Sequence, residues 1–150
     1  MATAQKSTQS AADAKGFSAE EKSAMRERAR ELKAAEKSKD ARAEGLRDLV
    51  GKIAEMPAAD RVLAEQLHAL VSEAAPALDP KTYYGMPAWA RNGRVVCFFK
   101  PASKFKVRYA TFGFEDEARI DDGELFPTSF GLTELTPAAK ARIVELVKNA

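Results

Sequence analysis

Residues 115 to 124 bring six carboxylates within ten positions, Glu115, Asp116, Glu117, Asp121, Asp122 and Glu124, relieved only by Arg119. Hard cations such as iron, magnesium and calcium take oxygen ligands, and several anions held close lower their common energy around one cation. The stretch is therefore a candidate site for iron or another divalent cation, weakly bound. It does not have EF-hand spacing, since Gly123 stands ninth from Glu115 where that loop needs glycine sixth. The plain alternative is a solvated loop with a helical pair between Glu115 and Arg119.

The preceding stretch has the opposite sign. Residues 91 to 108 hold Arg91, Arg94, Lys100, Lys104, Lys106 and Arg108 and no acid. Lys106 and Arg108 alternate onto one face if this segment is extended, and Lys100 on a neighbouring strand would face them. Such a face could grip a phosphate or a carboxylate, with Tyr83, Tyr84 and Trp89 adding a stacking surface. The candidate ligand site is thus Tyr84, Trp89, Lys100, Lys106 and Arg108. Its plain alternative is a solvated sheet surface whose lysines discourage edge-to-edge pairing.

Catalytic signals are weak. His68 is the only histidine, so neither a histidine pair nor a histidine-based metal site can form. The single cysteine, Cys97, sits in the apolar run Val95 to Phe99 and reads as a buried, inert thiol. Ser103 and Ser129 lack a nucleophile elbow, and the glycines form no phosphate loop. The expectation is a binding protein rather than an enzyme.

The chain has 150 residues, 45% of them apolar and 31% charged, which fits one globular domain. No apolar run suits a signal peptide or a bilayer span, so a cytoplasmic, monomeric protein is expected. Residues 1 to 45 carry ten basic and eight acidic side chains, whereas residues 46 to 150 carry fourteen of each. The net charge of +2 thus resides in the leader. Its signs alternate, so nucleic acid is not indicated.

These residues must be positioned by a periodic scaffold. Residues 1 to 16 lack any pattern and read as disordered. Ser18 and Glu21 have capping-box spacing, which starts a helix toward Arg42 with only Met25 and Leu32 as large apolar residues. Such a helix is marginal and exposed. Leu46, Leu49, Val50 and Ile53 form an apolar stripe, and Leu63, Leu67, Leu70, Val71 and Ala74 form another after Pro57.

From Thr82 the period drops to two. Asn92-Gly93 separates strands at Tyr83 to Arg91 and Arg94 to Lys100, as a type I′ turn would. Pro87 marks the first of these as an edge or interrupted strand, while Val95 to Phe99 should be central. Phe105 to Phe114 and Phe126 to Leu132 read as further strands. Thr136-Pro137 then opens a last helix with Ile143, Val144, Leu146 and Val147 on its apolar face. Helices, an antiparallel meander and a helix make an α+β domain at 46 to 150 behind a charged leader at 1 to 45.

The run Tyr84-Gly85-Met86-Pro87-Ala88-Trp89, followed by Gly93 to Phe99, resembles the YdhG-type family of small bacterial proteins. The resemblance covers about residues 48 to 149. It implies a frataxin-like fold, a two-layer sandwich with helices packed on one face of an antiparallel sheet. That agrees with the periodicity apart from a short extra helix at 46 to 55. It also implies iron binding or delivery, with an iron-using protein as partner. The basic face would instead imply a small anionic ligand. The acids here lie between the third and fourth strands, whereas frataxins carry theirs on the first helix and a strand edge.

Overall fold

The computed structural model describes residues 16–37 and 40–150, so the disorder expected for residues 1 to 16 lies, but for Gly16, outside the described part. Helices α1 (Ala19–Lys37), α2 (Ala41–Ala54) and α3 (Ala58–Ala74) come first. Strands β1 (Asp79–Tyr83), β2 (Met86–Arg91) and β3 (Arg94–Lys100) follow, then a helical turn, α4 (Ala102–Phe105). Strands β4 (Ala110–Phe114) and β5 (Ser129–Leu132) and helix α5 (Pro137–Asn149) complete the chain. The five strands form one antiparallel sheet in sequential order. The expected α+β architecture, helices packed on an antiparallel sheet, is present.

Local chemistry sets the helix starts. Ser18 and Glu21 close the capping box reciprocally: the Ser18 amide donates to the Glu21 carboxylate at 3.2 Å, and the Glu21 amide to the Ser18 hydroxyl at 3.1 Å. Thr136 caps α5 by accepting from the Ala139 amide, with Pro137 at the first helical position. Helix α2 begins before the predicted Leu46, because the Asp40 carboxylate caps it through the Ala43 amide.

The buried stripe of α2 is also rotated from the expected one. Gly45, Leu49 and Ile53 face inward while Leu46 and Val50 are exposed. Gly45 lets the helix lie directly on β1, since a Cβ there would overlap the Pro80 carbonyl oxygen. The helix thereby shields the edge strand β1.

Three corrections concern the sheet. The segment Tyr83 to Arg91 is not one strand but two, parted by a turn at Tyr84-Gly85 with φ of 53° and 74°. That turn repeats the left-handed geometry of Asn92-Gly93, at 52° and 80°. With β1 outside it, β2 is interior, so Pro87 is on no edge; its ladder to β3 starts only at Ala88 and needs nothing from the proline nitrogen. Strand Phe105 to Phe114 is likewise shortened to Ala110–Phe114, because Pro101 ends β3 and starts α4. The last strand, predicted from Phe126, begins at Ser129.

The core lies on one face of the sheet. Trp89, Cys97, Phe99, Phe112 and Phe114 pack there against Leu49, Leu67 and Val71 from α2 and α3 and Ile143 and Val147 from α5. Trp89 stands opposite Cys97, and Cys97 opposite Phe114. Alternation then turns Ala88, Phe98 and Gly113 to the other face, where the Phe98 ring lies over Gly113 and beside Tyr83. Helix α1 approaches this second face at the β1–β2 end, with the Arg28 guanidinium 4.9 Å from the Tyr83 ring centroid. No helix among the described residues is long and apolar enough to cross a membrane.

Candidate ligand-binding site

A helix that docks on a sheet ordinarily fills its inner stripe with leucine or valine. In α1 the inner stripe reads Glu20, Ala24, Glu27, Glu31, spaced i, i+4, i+7 and i+11. Ala24 is buried, at 3% exposure, whereas Met25 and Leu32 are 37% and 50% exposed. The expected marginal helix is thus a docked one, held mainly through acids.

Each acid meets a defined receptor. Glu20 pairs with the Lys106 ammonium at 2.7 Å. Glu27 pairs with Lys104 at 2.9 Å and with Lys52 of α2 at 3.1 Å. Glu31 accepts two backbone bonds, from the Tyr84 amide at 3.0 Å and the Gly85 amide at 2.8 Å. Successive amides of a turn that converge on one anion form a nest, a concavity of fixed partial positive charge.

The nest has an energetic cost. Tyr84 at positive φ is disfavoured by about 1–2 kcal/mol for a side chain with a Cβ. Hydrogen bonds to a charged group contribute roughly 1.5–3 kcal/mol each, so two amides on the Glu31 carboxylate offset that strain. Arg28 completes the arrangement, stacking over both tyrosine rings and lying 3.6 Å from Glu31. The Tyr83 hydroxyl donates to Glu115 at 3.3 Å. Burial, and then the nearby Glu115 charge, raise the Tyr83 pKa above 10.

A cleft of about 340 Å³ opens beside this contact, lined in part by Glu27, Lys52, Asp60, Gly85, Ser103 and Lys104. Asp60 is buried and accepts the Ser103 amide at 3.1 Å, which fixes α4 and thereby Lys104. Burial pushes the Glu27 carboxyl up, but the ammonium groups of Lys104 and Lys52 outweigh it and hold the group below its ordinary 4.5. Burial likewise lowers Lys52, and its pairing with Glu27 reverses this to a raised value. Hydrogen bonding to Lys106 lowers Glu20.

The structure redistributes the predicted ligand residues. Tyr84 forms half of the nest. Lys106 is engaged by α1, but from the left-handed end of α4 at φ 54° and not from a strand face. Arg108 lies in the segment before β4 and stacks on Tyr109, and Lys100 lies over Phe105, so no row of cations crosses the sheet. Trp89 is 1% exposed and belongs to the core.

The predicted metal residues do not converge. Glu115 accepts from Tyr83, Glu117 lies 3.7 Å from Arg94, and Asp116, Asp121, Asp122 and Glu124 are exposed. Among the described residues no three His, Cys, Asp or Glu side chains come together as a metal site. His68 stacks on Trp89, with ring centroids 6.3 Å apart, and Cys97 is buried.

Sequence reasoning missed Glu27, Glu31 and Lys52, and counted Lys104 in the basic stretch without placing it in the candidate site. The available signal was the i, i+4 spacing of Glu27 and Glu31 on a helix with no apolar stripe, together with a second X-Gly dipeptide at Tyr84-Gly85. No family model, no curated protein and no solved structure matches this chain.

Proposed function

We propose that this chain is a non-enzymatic binding module that grips carboxylate-bearing ligands at the β1–β2 turn and the lysines beside it. One observation carries the reading: two carboxylates, Glu27 and Glu31, are received there by two lysines from different elements and by two convergent backbone amides. A site that orients a planar anion needs donors fixed by the backbone together with a compensating positive charge, and both are present. The cationic residues are Lys52, Lys104 and Lys106, with Tyr84 and Gly85 as backbone donors. The buried Cys97 thiol and the His68 ring stacked on Trp89 support binding over catalysis.

The test uses the amide spectrum of the full chain with Glu27 and Glu31 both replaced by alanine. Added glutarate should move the Tyr84 and Gly85 amides and the neighbours of Lys52 and Lys104. Amides that stay in place at millimolar glutarate refute the reading. Ferrous iron added to the same sample addresses the acidic loop, and shifts confined to residues 115 to 124 would favour a cation-binding protein instead.

A further inference from the structure

We propose that α1 is an intramolecular occupant of the lysines and turn amides beside this cleft, and that the partner it holds off is an acidic helix presenting carboxylates at i and i+4. The inference rests on the carboxylate-binding reading above and names its ligand and its regulation.

The receptor has the spacing of a helix surface. The nest at Tyr84-Gly85 takes Glu31, and the lysine pair takes Glu27 one turn earlier. Four residues along a helix rise about 6 Å, so the two subsites are set for acids one turn apart on a single face. Lys106 extends the row to Glu20, at the opposite end of the stripe. Any helix that reproduces this stripe satisfies the same donors.

The contact is also suited to exchange. Ala24 is the one fully buried side chain that the described part of α1 contributes, so apolar burial contributes only on the order of 1 kcal/mol. Most of the docking energy is charge pairing, which solvent and salt weaken. The pairing is incomplete as well: an Arg28 guanidinium nitrogen is buried without a hydrogen-bond partner among the described residues. A buried polar atom without a partner carries a desolvation penalty that release of α1 to solvent would relieve. The left-handed Tyr84 is a further cost that a bound carboxylate helps to offset. Tethering favours α1 through effective concentration, so the partner must win by better contacts or after α1 is displaced.

The test compares the intact wild-type chain with its Glu27→Ala/Glu31→Ala and Glu27→Gln/Glu31→Gln variants. The isosteric glutamine pair guards against misfolding of the first, and amide dispersion of the core checks both. The probe is a synthetic peptide with the sequence of residues 17–37, alongside the same peptide with its Glu27 and Glu31 changed to Gln. The variants should bind the unmodified peptide at least about tenfold more tightly than wild type, the factor expected if α1 is docked nine-tenths of the time. The Gln-bearing peptide should not bind. Equal affinity of wild type and variants overturns the inference. So does failure of the variants to bind the peptide while glutarate still moves Tyr84 and Gly85, a result that leaves the carboxylate-binding reading standing. Failure of both probes overturns the reading beneath it as well.

Discussion

The Glu31 carboxylate and the Gly85 amide, 54 residues apart in the chain, meet at 2.8 Å. That bond and its neighbour from Tyr84 join a helix with almost no apolar face to the tip of a hairpin. A backbone turn that would be strained alone becomes the receptor for a side chain, and the helix gains a fixed position from it.

Gly85 and Gly93 separate turn strain from helix docking. Both have positive φ, but a Cβ at Gly85 would overlap the Glu27 carboxylate and the Lys104 ammonium, whereas one at Gly93 meets nothing among the described residues. Gly93→Ala should cost about 1–2 kcal/mol, the ordinary price of a left-handed alanine. Gly85→Ala should cost roughly 1–2 kcal/mol more through displacement of the ion pair. Urea unfolding measures both, and equal losses would mean that the α1 contact contributes nothing to stability.

The docked helix should have an acid limit. The Glu27 carboxyl is held below 4.5, so its stabilising effect is complete above that value and lost as pH falls through the depressed one. Lys52 is raised above 10.5, so its effect is complete below that value and lost as pH rises beyond it. The Tyr84 and Gly85 amide shifts should therefore hold constant near neutrality and move on acidification from pH 5 toward 3. Raising salt at pH 7 should move them the same way. Shifts unchanged by both treatments would show that charge does not hold α1.

Cys97 should be unreactive in the folded protein. Burial pushes its thiol far above the ordinary value, which removes the nucleophilic thiolate, and the sheet and helices exclude reagent. Labelling by a disulfide reagent at pH 8 should proceed at least roughly a thousandfold more slowly than in urea, since it requires the rare unfolded state. Prompt labelling of the native protein would contradict the placement of β3 in the core.

His68 should contribute a modest acid sensitivity. Burial lowers its pKa below 6.5, so the unfolded chain takes up its proton first and stability declines as pH falls from 6.5. His68→Phe keeps a ring on Trp89 and removes the titration. The urea midpoint of wild type should drop between pH 7 and 5.5, and that of the variant should drop less. Identical drops would assign the acid sensitivity to other groups.

What the sequence by itself determined is what neighbouring residues decide between them. Ser18 and Glu21 specify a helix start, Thr136-Pro137 another, and Asn92-Gly93 a hairpin, because each partner lies within a few positions. The apolar run of β3 announced its central place for the same reason. Tyr84-Gly85 offered the X-Gly signal of a turn, but only the tertiary structure supplies the carboxylate from α1 that stabilises a left-handed tyrosine there. Tertiary structure alone decided that Lys52, Lys104 and Lys106 meet Glu27 and Glu20 and form no row across the sheet. Charge pairing has no periodicity, and any acid can serve any base, so only the three-dimensional path of the chain selects among them.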